Sequence, residues 1–316
     1  MARPPRPART RPPLTPADGL HPDNPHRGRY DFPALLRVCS DLARFLRPHP
    51  IEGDTIDFAR PDAVLTLNRA LLLHHYGLTH WELPPGALCP PIPGRADYLH
   101  HLAALLRTDP PDLTAAPVRA LDIGTGASCI YPIIGASALD WHFIATDIDP
   151  ASISWARRLI AANPNLAGRI ECRHQPDPTS IFKNVTGPGE RFDVSLCNPP
   201  FHASAFEADA GTRRKLRNLG SVAGSRAPSG RPILNFGGRA NELWCPGGEL
   251  AFVGRIITES ATRPTLCRWF TSLVAKSAHL PMLQAAAEKA GAAEVRVLGM
   301  RHGQKHSRIL AWRFAC

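Results

Sequence analysis

Between residues 30 and 106 apolar side chains recur at helical spacing, as in Leu35, Leu36, Cys39, Leu42, Ala43 and Leu46, and again in Val64, Leu67, Leu71 and Leu72. This periodicity predicts a small helical N-terminal segment over residues 21–110. The proline-rich stretch from Pro84 to Pro93 divides it and presents Gly94-Arg95-Ala96-Asp97-Tyr98 just ahead of another helix. From about Val118 the pattern changes to short apolar runs alternating with helical segments, as expected of a parallel sheet covered on both faces. Strands are expected at Val118–Ile123, His142–Thr146, Arg169–Arg173, Phe192–Cys197 and Leu266–Leu273. Asp149 and Pro150 form a suitable cap and first turn for a helix carrying Ile153, Ala156 and Ile160. Near the end, Glu294–Leu298 and Arg308–Phe314 bracket a polar loop and read as an antiparallel hairpin. The expectation is an α/β domain with a seven-stranded sheet over 111–316, without internal repeats or heptads.

Composition narrows the picture. The 316 residues, 44% hydrophobic, suffice for one large α/β domain with a small accessory segment. Lys and Arg outnumber Asp and Glu by 37 to 27, and the net charge of +10 favours a polyanionic partner. Six of the first sixteen residues are Pro and four are Arg, which denies this stretch a helix ladder and a core. Residues 1–20 are therefore expected to be a disordered tail, and the same prolines oppose the amphipathic helix of an organellar transit peptide. The eight cysteines lie at least 22 residues apart and form no close pair of the kind a structural zinc site uses. No metal is expected, and the thiols fit a reducing cytoplasm. No apolar run reaches membrane-spanning length and the first residues lack the apolar core of a secretory signal, so the expectation is a soluble, cytoplasmic chain. The histidines, taken with the dispersed cysteines, suggest no zinc hydrolase or deaminase, and none is assigned a catalytic role.

Two motifs carry chemistry. Asp122-Ile123-Gly124-Thr125-Gly126-Ala127-Ser128 stands where a buried strand ends and a helix can begin, and its glycines let the backbone approach a nucleotide-like ligand closely. Asp147 follows the next strand, 25 residues after Asp122, where an acid can accept hydrogen bonds from ribose hydroxyls. That position suits either a dinucleotide or the adenosine of S-adenosylmethionine. Cys129 occupies the third glycine position of the dinucleotide fingerprint, which weakens the nicotinamide reading. Arg95 is a candidate for pinning the carboxylate of the donor's methionine moiety through two hydrogen bonds.

The second motif, Asn198-Pro199-Pro200-Phe201, follows directly on the strand Phe192–Cys197. Two prolines cannot continue a central strand, so the chain must leave the sheet there, at the edge where open α/β sheets bind ligands. An adenine amino group is a poor nucleophile because its lone pair is delocalised into the ring. The amide oxygen of Asn198 and a backbone carbonyl, that of Pro199, can accept its two N–H bonds and favour the pyramidal nitrogen of attack. Phe201 offers a flat face on which an extruded base stacks. No strong base is needed, since the nitrogen can lose its proton to water after the methyl has moved. The segment 211–240 carries Arg213, Arg214, Lys215, Arg217, Arg226, Arg231 and Arg239 and no acid, which suits the holding of nucleic-acid phosphates.

These residues resemble the bacterial methyltransferase F family of large-subunit ribosomal RNA. The resemblance covers most of 20–315, including His21-Pro22, Arg29-Tyr30-Asp31, Leu88-Cys89-Pro90-Pro91, Pro93 to Tyr98, Cys129-Ile130-Tyr131-Pro132, Asn198 to His202, Arg217-Asn218-Leu219-Gly220, Leu234 to Gly238 and Glu242-Leu243-Trp244-Cys245. It implies a class I, Rossmann-like methyltransferase fold with its last strand antiparallel, S-adenosylmethionine as donor, and an N-terminal segment that helps bind RNA. It further implies N6 methylation of one adenine of 23S rRNA, presented as free RNA or as a large-subunit assembly intermediate. Carried over by motif, Arg95, Asp122, Gly124, Gly126, Ser128, Asp147 and Asn198 would contact the donor, with a further contact near Asp177, and Asn198 to Phe201 would grip the adenine. The run Gly-Thr-Gly-Ala-Ser is similar to the related eukaryotic small nuclear RNA methyltransferase, which stays as an alternative. A protein glutamine methyltransferase, which usually has Tyr where Phe201 stands, and a non-catalytic RNA-binding factor are the other readings.

Overall fold

The computed structural model describes residues 19–49, 53–109, 117–204, 206–207, 240–302 and 305–315. The expected tail and nearly all of the basic insert 211–240 therefore lie outside the described residues. The order along the chain is α1 (Phe32–Val38), β1 (Leu46–His49), β2 (Gly53–Ile56), α2 (Pro61–Tyr76), α3 (Ile92–Leu106), β3 (Arg119–Ile123), α4 (Ile130–Leu139), β4 (His142–Asp147), α5 (Pro150–Ala161), β5 (Ile170–His174) and β6 (Phe192–Cys197). There follow α6 (Ala240–Leu243), α7 (Gly248–Ala261), β7 (Cys267–Val274), α8 (Leu280–Lys289), β8 (Glu294–His302) and β9 (Lys305–Arg313).

All seven expected strands form, in one sheet of order β5-β4-β3-β6-β7-β9-β8. The first five are parallel, and β9 inserts antiparallel between β7 and β8. Successive residues of a strand face opposite sides, and each side has its own apolar core. Ala120, Phe143 and Ala145 pack with Leu71, Leu99, Ile133 and Ile153 from α2 to α5. Leu121, Ile123 and Ile144 pack with Val253, Ile256 and Leu283 from α7 and α8. The N-terminal helices thus share a core with the sheet. Asp149 caps α5 as expected, accepting from the Ala151 and Ser152 N–H groups, with Pro150 in the first turn.

Three local expectations are corrected. The helical segment contains a two-stranded hairpin, β1–β2, in register Leu46↔Ile56 to His49↔Gly53. Helix α3 starts at Ile92, so Arg95 lies inside it; Pro93 sits where a missing N–H costs nothing. The polar stretch between Leu298 and Arg308 continues the β8–β9 ladder out to His302↔Lys305. A two-sided antiparallel edge keeps polar side chains in water while its backbone pairs, so polarity there did not mark a loop. No helix among the described residues is long and apolar enough to cross a membrane.

Gly135 of α4 packs so closely on β4 that a Cβ would collide with the Phe143 ring. An exposed helical Gly→Ala change stabilises by ~1 kcal/mol. Gly135→Ala is expected to destabilise instead, by ~1–3 kcal/mol of overpacking. A lowered midpoint in thermal unfolding checks this.

Candidate active site

The sheet changes direction of growth at β3. Strands β4 and β5 are added on one side of it and β6 on the other, and the crevice at such a switch point is where open α/β sheets bind ligands. Ile123 and Cys197 are parallel-sheet partners. The glycine turn and Asn198 therefore emerge side by side.

The turn is held to β4 by the Gly124 and Thr125 N–H groups, both donating to the Thr146 carbonyl at 2.9 Å. Gly124 and Gly126 have φ of 75° and 64°, a region glycine enters without strain. Helix α4 begins only at Ile130, after Cys129 in the left-handed region. The N–H of Gly126 donates to Asp147 Oδ2 at 2.8 Å, and that of Asp149 to Oδ1 at 2.9 Å. Each oxygen keeps further lone-pair capacity.

Arg95, Gly124, Gly126, Ser128, Asp147 and Asn198, six of the seven residues expected at the donor, line one cavity of about 580 Å³. Asp122, the seventh, is wholly buried and does not reach its wall; neither carboxylate oxygen has a hydrogen-bond partner. The Thr125 hydroxyl lies near it without a hydrogen bond of good geometry. Of the acceptor motif, Asn198 and Pro200 reach the wall, whereas Pro199 and Phe201 do not. The Asn198 Oδ1 atom is buried without a partner.

Several wall residues had no sequence signal of their own. Gln175 is buried and ties down the loop after β5, donating to the Ile181 and Lys183 carbonyls and accepting from the Asp177 N–H. Pro178 to Ile181 line the cavity, but the Asp177 carboxylate is occupied by the Thr179 amide and hydroxyl and the Ser180 hydroxyl. Tyr131 accepts a 2.6 Å hydrogen bond from Arg95 Nη1, while Arg95 Nε is buried without a partner. Trp244 reaches the wall because the chain returns there: His202 and Trp244 form a parallel bridge, with the His202 N–H donating to Leu243 and the Cys245 N–H to His202, each at 3.1 Å. Glu242, just before it, accepts from the Leu88 N–H at 3.1 Å. Arg213, Arg214, Lys215, Arg217 and Arg239 lie outside the described residues.

A family model described as RNA methyltransferase matches residues 15–316. The chain belongs to this family. It is 54% identical over 315 residues to a protein of Ectopseudomonas mendocina (strain ymp) named ribosomal RNA large subunit methyltransferase F, with 99% of this chain and 94% of that one covered. A protein of the same name from Serratia proteamaculans (strain 568) is 51% identical over 94% of this chain and 88% of its own. Among solved structures, the hMettl16 catalytic domain in complex with MAT2A 3′UTR hairpin 1 superposes with a TM-score of 0.77 at 28% identity, covering 94% of this chain and 96% of that one. The N-terminal domain of human METTL16 in complex with SAH gives 0.73 at 25% identity, covering 95% and 100%. The class I methyltransferase fold and the family resemblance expected from the motifs are both borne out.

Burial dominates the electrostatics of this RNA methyltransferase site. It pushes the Asp122 carboxyl up to about 7, with the charge of Asp147 adding to the rise and Arg95 opposing it. Burial likewise lifts Asp147 to about 6, against the two amide donors that favour its charged form. Acids raised in the folded state bind more protons folded than unfolded between about pH 4 and 7. Stability of the ligand-free protein therefore falls as pH rises through that window. Asp122→Asn should raise the thermal midpoint by ~3 °C or more at pH 8 and by much less at pH 4.5. Paired thermal melts at the two pH values check this; equal shifts would contradict it.

Proposed function

We propose that this chain transfers a methyl group from S-adenosylmethionine to the N6 amino group of one adenine in 23S rRNA, adenine 1618. The large-subunit ribosomal RNA assignment is supported by the full-length relatives at about 50% identity. An adenine in structured RNA is supported by the solved neighbour bound to an RNA hairpin. The single observation that carries the acceptor chemistry is Asn198: it lines the cavity beside the glycine turn, and its Oδ1 is a buried acceptor without a partner.

The residues present fit the donor. The cavity falls within the ~300–1,000 Å³ usual for small-molecule sites. The positive-φ glycines carry no Cβ and let a ligand approach the backbone closely, the half-buried Arg95 keeps its Nε without a partner for a carboxylate, and Asp147 has lone pairs for ribose hydroxyls. The donor, when bound, supplies an electrophilic methyl group on a sulfonium centre. Asn198 Oδ1 and the Pro199 carbonyl accept the two adenine N–H bonds, drawing the lone pair out of conjugation and aiming it along the line of transfer. Pro199 and Pro200 fix this geometry because their φ angles cannot relax. Phe201 stacks on the base, and Trp244, which lines the same cavity as Asn198, offers a second ring face. The nitrogen's proton leaves to water.

Residues 21–110, with α2 and α3, would serve as the RNA-binding segment joined to the methyltransferase domain at 111–316. The basic residues Arg213, Arg214, Lys215, Arg217 and Arg239 would hold phosphates; the chain that brackets them is joined by the His202–Trp244 bridge, and Trp244 lines the cavity. Phe201 in place of Tyr and the acid-free basic insert favour RNA over a glutamine side chain as acceptor.

Asn198→Ala is expected to lower kcat by ~10²-fold or more, the scale for loss of one transition-state hydrogen bond, with donor affinity partly retained. Asp147→Ala should instead raise the donor Kd by ~10-fold or more while RNA binding persists. Calorimetry with the donor, and mass-spectrometric mapping of rRNA from cells lacking the gene and complemented with each variant, separate the two. Reversing the charge of Arg213, Arg214 and Arg217 should raise the RNA KM and reduce its salt slope by ~0.7–0.9 for each phosphate left without its cation. An unchanged slope removes the insert from the interface.

A further inference from the structure

The catalytic strand β6 and its neighbour β7 do not stay paired to their ends. Their register runs from Phe192↔Cys267 to Ser195↔Phe270 and stops, although β6 continues to Cys197. Tyr98 of α3, fully buried, reaches into the gap. Its hydroxyl lies 2.7 Å from Thr271 Oγ1, which lies 2.7 Å from the Ser195 carbonyl, and the Cys197 N–H reaches the Tyr98 oxygen at 3.5 Å.

The proton inventory gives this chain one direction. A carbonyl can only accept, so the Thr271 hydroxyl donates to Ser195. The Tyr98 hydroxyl must then donate to Thr271, and its oxygen accepts from the Cys197 N–H. Two side-chain hydroxyls thus complete a circuit from Cys197 back to Ser195, the last residue of β6 in register with β7. Each has a single proton, and both are committed. Neither side chain lines the cavity. The circuit ends on the residue before Asn198, which lines the cavity and whose Oδ1 is buried without a partner. The Tyr98 ring also meets Tyr131, the partner of Arg95, edge to face at 5.5 Å.

We propose that the Tyr98 hydroxyl, through Thr271, is a positioning group that sets the exit angle of β6 and so the placement of Asn198 for methyl transfer. The proposal rests on Asn198 being the group that binds the acceptor nitrogen. Removing either hydroxyl breaks this link at the end of β6 and lets the loop shift. Small misplacements of reacting groups cost ~10²-fold in rate. Donor binding, on the β3 side of the crevice, should be spared.

Tyr98→Phe, Thr271→Val, their double variant and Thr271→Ser, in the full chain, are assayed for methylation of deproteinised 23S rRNA and by hydrogen exchange of the peptide 192–201. Either single substitution should lower kcat by ~10–100-fold with donor KM within ~3-fold, and the double should be no worse than the poorer single, as for groups acting as one unit. Exchange in the peptide should quicken, and Thr271→Ser, which keeps the hydroxyl, should retain near-wild-type kcat. Full kcat in either single variant, additive effects in the double, or a fall in kcat matched by a rise in donor KM overturns the proposal. Should Tyr98→Phe fail to fold, the contrast between Val and Ser at position 271 decides. A wild-type chain inactive on both deproteinised 23S rRNA and large-subunit assembly intermediates would refute the functional reading, and unchanged exchange in the variants would refute the circuit independently.

Discussion

The parallel pairing of β3 with β6, ending at Ile123↔Cys197, is the constraint on which the rest of the site depends. Neighbouring strands of a sheet lie ~5 Å apart, so two loops leaving the same edge at the same level cannot avoid each other. One carries the glycines that admit a donor and the other carries Asn198. The remaining elements hold that adjacency: two apolar cores grip the sheet from both sides, and the Thr146 carbonyl gathers the glycine turn.

The N-terminal helices take part in this arrangement. Arg95 and Tyr98 lie three residues apart on α3, so their side chains leave the same face of the helix. One reaches the cavity wall and the other the gap beside the catalytic strand. A segment expected to serve RNA binding thus also contributes to the floor of the site. The buried acids impose a cost on that floor. Asp122, without a hydrogen-bonded partner, resists ionisation, and Asp147 is kept usable by the amides of Gly126 and Asp149.

How far the sequence was legible follows from how local each feature is. Strands β3, β4, β6 and β7 could be read because burial on both faces makes them largely apolar runs bounded by turn residues, whereas the edge strand β5 shows only the alternation of Ile170 and Cys172 with exposed Glu171 and His174. The glycine turn and the Asn-Pro-Pro step could be read because backbone constraints write themselves into neighbouring residues. The β1–β2 hairpin could not: Leu46-Arg47-Pro48-His49 and Gly53-Asp54-Thr55-Ile56 show little apolar alternation, and the pair stands apart from the main sheet. Nor could it be foreseen that Asp122, Pro199 and Phe201 stop short of the cavity wall, since the level of a side chain within a layer depends on three-dimensional packing. The Tyr98–Thr271 contact joins residues 173 positions apart, and no short-range pattern encodes it. Gln175 was invisible for the same reason, and Trp244 was marked only as part of the family motif Glu242 to Cys245.

The bridge between His202 and Trp244 has a consequence for how such enzymes can diversify. It closes the base of the intervening stretch independently of whatever that stretch contains, and the entropic cost of a longer closed loop grows only with the logarithm of its length. Segments of different size or charge can therefore be exchanged at this point at little entropic cost of closure, and the clasp between His202 and Trp244 acts as a socket for them.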